Sequence, residues 1–198
     1  MEIAPEFTAE QWFALRLDEG IEEHWQKAVD VLKDRLESRY IQPIEILLQA
    51  EEQIPAKQRK FGFTILAIDL LLMETLQAFK EGLTDTSGKS KAVFMRFLEN
   101  SPHFSGYFSD NEQREDFYSS FRCGILHQAE IQSSALVWSI GDLYERAEGL
   151  EVINRTAVHQ SLKADLEDYL VVLRNPVNSK EREMFKSKMD SIANRGSI

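Results

Sequence analysis

The sequence predicts a mainly α-helical protein with one small β-hairpin, and three observations carry that prediction. Apolar residues recur at helical spacing through most of the 198 residues. Residues 135–147 break that pattern, with two short apolar runs around Gly141-Asp142, a glycine-led two-residue turn. No internal repeat, low-complexity tract or long linker interrupts the chain. Residues 1–198 therefore read as a single helical bundle, with a hairpin insertion over 135–153 and a peripheral C-terminal helix over 179–198.

The elements follow in order. Thr8 and Gln11 have capping-box spacing and open a short helix reaching Leu17. A longer helix runs from Ile21 to about Arg39, with Trp25, Ala28, Val29, Leu32 and Leu36 on one face. Pro43 disfavours a helical predecessor and predicts a break at 40–43, before a short amphipathic helix over 44–52. The strongest helix spans 57–81. On a helical wheel Lys60, Glu74, Gln77 and Glu81 share one polar side and most other positions are apolar, which predicts a central helix wet along one narrow face. A glycine-bounded loop at 82–88 leads to a helix over 89–99, stopped by Ser101-Pro102. A further helix covers 112–129. After the hairpin, 156–174 is helical, with Val158, Leu162, Leu166, Leu170 and Val171 on one face. The last helix, 179–194, is polar and charged, and is expected to dock loosely.

Composition narrows the function classes. A hydrophobic fraction of 43% and a charged fraction of 28% are ordinary for a globular protein. Cys123 is the one cysteine, so no internal disulfide forms, and a reducing, cytoplasmic setting is expected. The first residues lack a secretory pattern, and the apolar run 61–73 is shorter than a membrane span and contains Asp69. A net charge of −10 argues against broad binding of duplex DNA, which needs a basic surface. No metal-ligand spacing, glycine-rich phosphate loop or nucleophile elbow is present, so no cofactor or metal is predicted.

Chemistry concentrates in one stretch, Phe117-Tyr118-Ser119-Ser120-Phe121-Arg122-Cys123-Gly124-Ile125-Leu126-His127-Gln128. Phe117, Phe121 and Ile125 recur at helical spacing and would anchor the backbone in the core. Arg122 offers a planar fork of donors to a phosphate, and His127 an imidazole able to move a proton near neutral pH. In a regular α-helix, residues five apart lie about 140° apart around the axis. The two side chains then converge only if the helix distorts near Gly124, if the side chains bend inward, or if a second subunit completes the site. Arg96 and His103, with six residues between them, offer a second Arg–His pair, but Pro102 separates them and marks that pair as a decoy.

This stretch resembles the Arg, four-to-six residues, His signature of HEPN domains, small all-α modules that include metal-independent RNases. It is also similar to a bacterial family with an Arg-Cys-Gly-x-Leu-His-Gln core. The resemblance implies a HEPN-like helical bundle, a homodimer in which two motif helices face each other, and an RNA substrate. It implies that Arg122 stabilises phosphate charge and that His127 handles the proton of the 2′-hydroxyl. The family's commonest pattern places a polar residue, often asparagine, after the arginine, and here Cys123 stands there. The alternative is a catalytically inactive module of the same fold that binds a protein or RNA partner.

Asp69 is the acidic candidate. It sits on the apolar side of the 57–81 helix, where a charge needs a partner or a shifted pKa. It is expected either to orient Arg122 or His127, as acids on an earlier helix do in several HEPN groups, or to form a buried structural ion pair. Glu74, on the polar side, needs no special explanation. His24 and His159 read as structural.

Overall fold

The computed structural model describes residues 1–128, 135–147 and 149–195, with the side chains of 126–128 and 147 excepted. Among them the protein is mainly helical, with two small sheets. Strands β1 (Glu2–Ala4) and β2 (Phe7–Thr8) pair antiparallel. They feed helix α1 (Ala9–Ala14), whose capping box forms as its spacing predicts. Thr8 Oγ1 accepts from the Gln11 N–H at 3.4 Å, and Gln11 Oε1 accepts from the Thr8 N–H at 2.7 Å.

Helix α2 (Glu22–Leu36) does not break before Pro43. It passes through a π-helical segment, Glu37–Ile41, into α3 (Gln42–Ala50), where Pro43 lies in the first turn. Proline donates no backbone hydrogen bond, and one wider π turn absorbs the mismatch without ending the helix. A 3₁₀ turn (Ala56–Gln58) precedes α4 (Gly62–Lys80), the central helix, which packs against α5 (Ser90–Asn100), α7 (Arg155–Arg174) and α8 (Ser179–Asn194). By length and composition α4 would suffice to cross a bilayer, yet 61% of its apolar window is buried inside the fold.

The wheel prediction for α4 holds for its central, largely buried position and fails for its wet face. Glu74 and Gln77 are buried, whereas Phe63 (42% exposed) and Leu71 (40%) face outward. The polar side is enclosed because partners from other elements reach it. Arg122 meets Glu74, and Arg96 grips Glu81 through two 2.6 Å bonds. Helix α8 also departs from expectation. Phe185, Met189 and Ala193 are fully buried. Arg182 donates to both carboxylate oxygens of Glu22, at 2.9 and 2.6 Å, and to the Leu173 carbonyl at 2.8 Å. The Trp12 indole N–H bonds Asp190 at 2.7 Å. The last helix is a wall of the core, which joins residues from Ile3 to Ala193 in one cluster.

Helix α6 (Asn111–Phe117) starts at Asp110, whose carboxylate accepts from the Gln113 N–H at 2.8 Å. The chain then winds as a π-helix over Tyr118–Gln128. Strand β3 (Ala135–Trp138) follows, with β4 (Tyr144–Ala147) and β5 (Leu150–Asn154). The small hairpin expected after the motif helix is present, but it joins β4 to β5. Strand β5 lies between the other two, parallel to β3 and antiparallel to β4, so the runs on either side of Gly141-Asp142 do not pair with each other. Asn154 organises this arrangement. Its N–H and side-chain amide bind the carbonyls of Leu143 (2.9 Å) and Gly141 (2.7 Å), while its Oδ1 caps α7.

Candidate functional site

Aromatic packing fixes the π-helical segment in place. Phe117 meets Phe108 (4.7 Å between centroids), Phe121 (5.0 Å) and Phe94 (6.0 Å), and Tyr144 of β4 packs at a tilt against Phe108 at 4.7 Å. Phe117, Phe121 and Ile125 are all buried, as their spacing predicts. The winding is what the sequence did not disclose. In a π-helix each N–H bonds the carbonyl five residues earlier, so positions five apart stack above one another, roughly 50° apart rather than 140°. The backbone positions of Arg122 and His127 therefore share a face without a kink at Gly124. The side chain of His127 lies outside the described residues.

Arg122 is held by Glu74 of α4, with Nη2 3.1 Å from Oε2 and side chains only 13% and 11% exposed. Its guanidinium also lies 5.6 Å from the centre of the Tyr118 ring, a cation–π distance. Burial, the largest influence, pushes the Tyr118 hydroxyl up, and the Arg122 charge opposes it. Arg122 and Glu74 open onto a cleft of about 180 Å³, also lined by Tyr40, Thr75 and Lys188. Tyr40 Oη is 3.3 Å from Thr75 Oγ1, which itself donates to the Leu71 carbonyl at 2.8 Å, so the tyrosine is the donor. Burial, reinforced by Arg195, lowers the pKa of the Lys188 ammonium. Each π-helical segment thus contributes one residue to the cleft, Tyr40 from the first and Arg122 from the second.

Asp69 is elsewhere. It is fully buried against His159 of α7, with Oδ1 3.0 Å from Nδ1. Asp69 and Glu74 are five residues apart on a regular α-helix, and hence on different sides of it. Glu74, not Asp69, holds Arg122, and Asp69 takes the buried ion-pair arrangement expected as its other reading. Burial raises the Asp69 carboxyl from its ordinary value to about 6, with His159 opposing. Asp69 Oδ2 and His159 Nε2 have no hydrogen-bond partner among the described residues.

The decoy pair separates into different contacts, Arg96 with Glu81 and His103 with Asp168 at 2.8 Å. Cys123 is half-buried in the π-helical segment, beside Arg122 in sequence. Tyr40, Thr75 and Lys188 escaped sequence reasoning, since nothing local links residues 40, 75, 122 and 188. Glu74 carries a signal, a carboxylate on the most apolar helix, but its place on the polar side of the wheel hides it. Among the described residues no three His, Cys, Asp or Glu side chains converge as metal ligands.

Comparison with known proteins finds no matching family model, no matching curated protein and no matching solved structure.

Proposed function

We propose that the protein is a metal-independent endoribonuclease of HEPN type, acting at a composite site in a homodimer. The observation that carries this reading is the π winding of Tyr118–Gln128, which stacks the Arg122 and His127 positions while Glu74 holds the guanidinium at the edge of a cleft. His127 takes the proton from an RNA 2′-hydroxyl. The 2′ oxygen bonds to phosphorus as the bond to the 5′ oxygen breaks, and the leaving oxygen collects a proton. Arg122 neutralises the charge that builds on the phosphoryl oxygens. Only RNA carries the attacking hydroxyl, so DNA is not cut.

Support for a dimer comes from α4. Exposed Phe63 and Leu71 and half-buried Ala67 and Ile68 form an apolar stripe along it, bordered by the buried Ile125 of the π-helical segment and ending where Leu71 lines the Arg122 cleft. A second copy seated on that stripe borders the cleft. The setting that fits a single free thiol is the reducing cytoplasm.

A second reading, an inactive binding module of the same fold, is favoured by one observation. Arg122 is mostly buried and already bound to a carboxylate, so a phosphate must compete with Glu74 for it. The deciding experiment is cleavage of single-stranded RNA in chelator by wild type, Arg122→Ala and His127→Ala. Activity lost in both variants, with folding intact, supports the nuclease. Wild-type cleavage by His127→Ala sinks it.

A further inference from the structure

A second cleft, of about 300 Å³, lies at the N-terminal end of α4, twelve residues and so about 18 Å along the helix from Glu74. Lys57, Arg59 and Arg155 line it together with Gly62, Trp138 and Ser139, and among the described residues no carboxylate does. Arg155 is ion-paired with Glu51, so in a chain of net charge −10 the local reversal of sign rests on Lys57 and Arg59.

The interior of the wall has donors left over. Arg155 is 2% exposed. Its Nη2 is paired with Glu51, but its Nη1 is buried with no hydrogen-bond partner among the described residues, and so is Ser139 Oγ. A guanidinium stays charged at any ordinary pH, so a buried N–H without an acceptor is costly and is relieved by an anion. Helix α4 adds further donors. Glu51 Oε1 accepts the N–H groups of Lys60 and Phe61, and the first intrahelical bond is Ile65 N–H to the Phe61 carbonyl. The N–H groups of Gly62, Phe63 and Thr64 precede it, at the positive end of the helix dipole, and among the described residues no side chain caps them. Gly62 lets β3 close on this end, since a Cβ there would meet Val137 Cγ1 at 3.2 Å.

Beside these donors stands Trp138, 38% exposed and part of the same lining. An indole face next to a phosphate-sized cluster of donors matches the two halves of a nucleotide. We infer that this cleft binds a nucleotide unit, its phosphate seated on Arg155 and the N-terminus of α4 and its base stacked on Trp138. The unit is either a free mononucleotide or one residue of a single-stranded RNA. The site is separate from the Arg122 cleft and does not depend on catalysis there.

Trp12 and Trp25 are buried, so a ligand-induced change in tryptophan fluorescence reports on Trp138. The full chain is titrated at low salt with inorganic phosphate, AMP and a single-stranded tetranucleotide, with calorimetry as a second readout. AMP is expected to bind and quench, inorganic phosphate to compete with it, and Trp138→Phe to abolish the quench. Lys57→Ala combined with Arg59→Ala should weaken AMP binding about tenfold or more, and added salt should do likewise. Lys57→Glu, a change at an exposed side chain, gives the same loss should Arg59→Ala disturb the fold. A tetranucleotide that binds more tightly than AMP identifies an RNA strand as the source, and equal affinity identifies the free nucleotide. Absence of binding by all three ligands, or wild-type affinity in both charge variants, overturns the inference. AMP holds no phosphodiester to cleave, so its binding is read whether or not the protein cuts RNA.

Discussion

Glu74 and Arg122, 48 positions apart in sequence, form an ion pair of 3.1 Å between the central helix and the π-wound segment. The pair ties the candidate motif to the core, and removing one member leaves the other mostly buried and charged. Glu74→Ala should therefore cost about 3 kcal/mol, the low end for a broken buried pair. The double variant Glu74→Ala/Arg122→Ala should cost less than the sum of the two single changes. Urea denaturation of all four proteins checks this, and strict additivity would show that the pair is not coupled.

For activity, Arg122→Ala should lower RNA cleavage in chelator about 100-fold or more, the scale of losing one donor to developing charge. Arg122→Lys should not restore it, because an ammonium lacks the planar fork. Initial rates on a labelled single-stranded RNA are the readout.

Asp69 predicts a pH dependence of stability. Its folded-state value, about 6, lies above its ordinary 3.8, so the folded protein holds this proton more tightly than the unfolded chain. The contribution is complete below about pH 4 and is lost as pH rises through about 6. Asp69→Asn is uncharged throughout and keeps a group able to bond His159. Its stability relative to wild type should rise between pH 4 and 7, which melting temperatures across that range will test. A constant difference would contradict the assignment.

Phe185 makes the docking of α8 measurable. It packs edge-on to Trp12 at 5.8 Å and near Phe79 at 6.4 Å, fully buried. Phe185→Ala should cost about 3–5 kcal/mol, a fall in melting temperature of about 10 °C for a chain this size. A loosely attached helix would lose little.

Phe63 tests the apolar stripe. Light scattering should find wild type dimeric and Phe63→Glu monomeric, with an unchanged circular dichroism spectrum, since the side chain is exposed. A monomeric wild type at high micromolar concentration would remove the composite site from the proposal.

Much of the fold was legible because its signals are local. The capping box at Thr8 and Gln11, the periodicity of α4 and α7, and the Phe117–Phe121–Ile125 anchor all lie within a few turns of chain. What escaped depends on distant partners. Glu74 looks like a wet residue until Arg122 is placed against it, and β5 cannot be seen to separate β3 from β4 by reading along the chain. Helix α8 did carry a stripe, Phe185, Met189 and Ala193, diluted by its charged neighbours. The π winding has no counterpart in hydrophobic spacing, because Phe117, Phe121 and Ile125 suit an α-helix equally well.

That winding has a bearing on insertions and deletions. A π turn holds one residue more than an α turn, so the segment Tyr118–Gln128 stores surplus chain between its anchors. Deleting Cys123, which is only half-buried, lets the helix tighten toward α geometry, with its Phe117 end still packed in the core. The same deletion rotates whatever follows Arg122 around the helix axis. A change of length here would spare folding and destroy register, a separation that point substitutions within the motif do not offer.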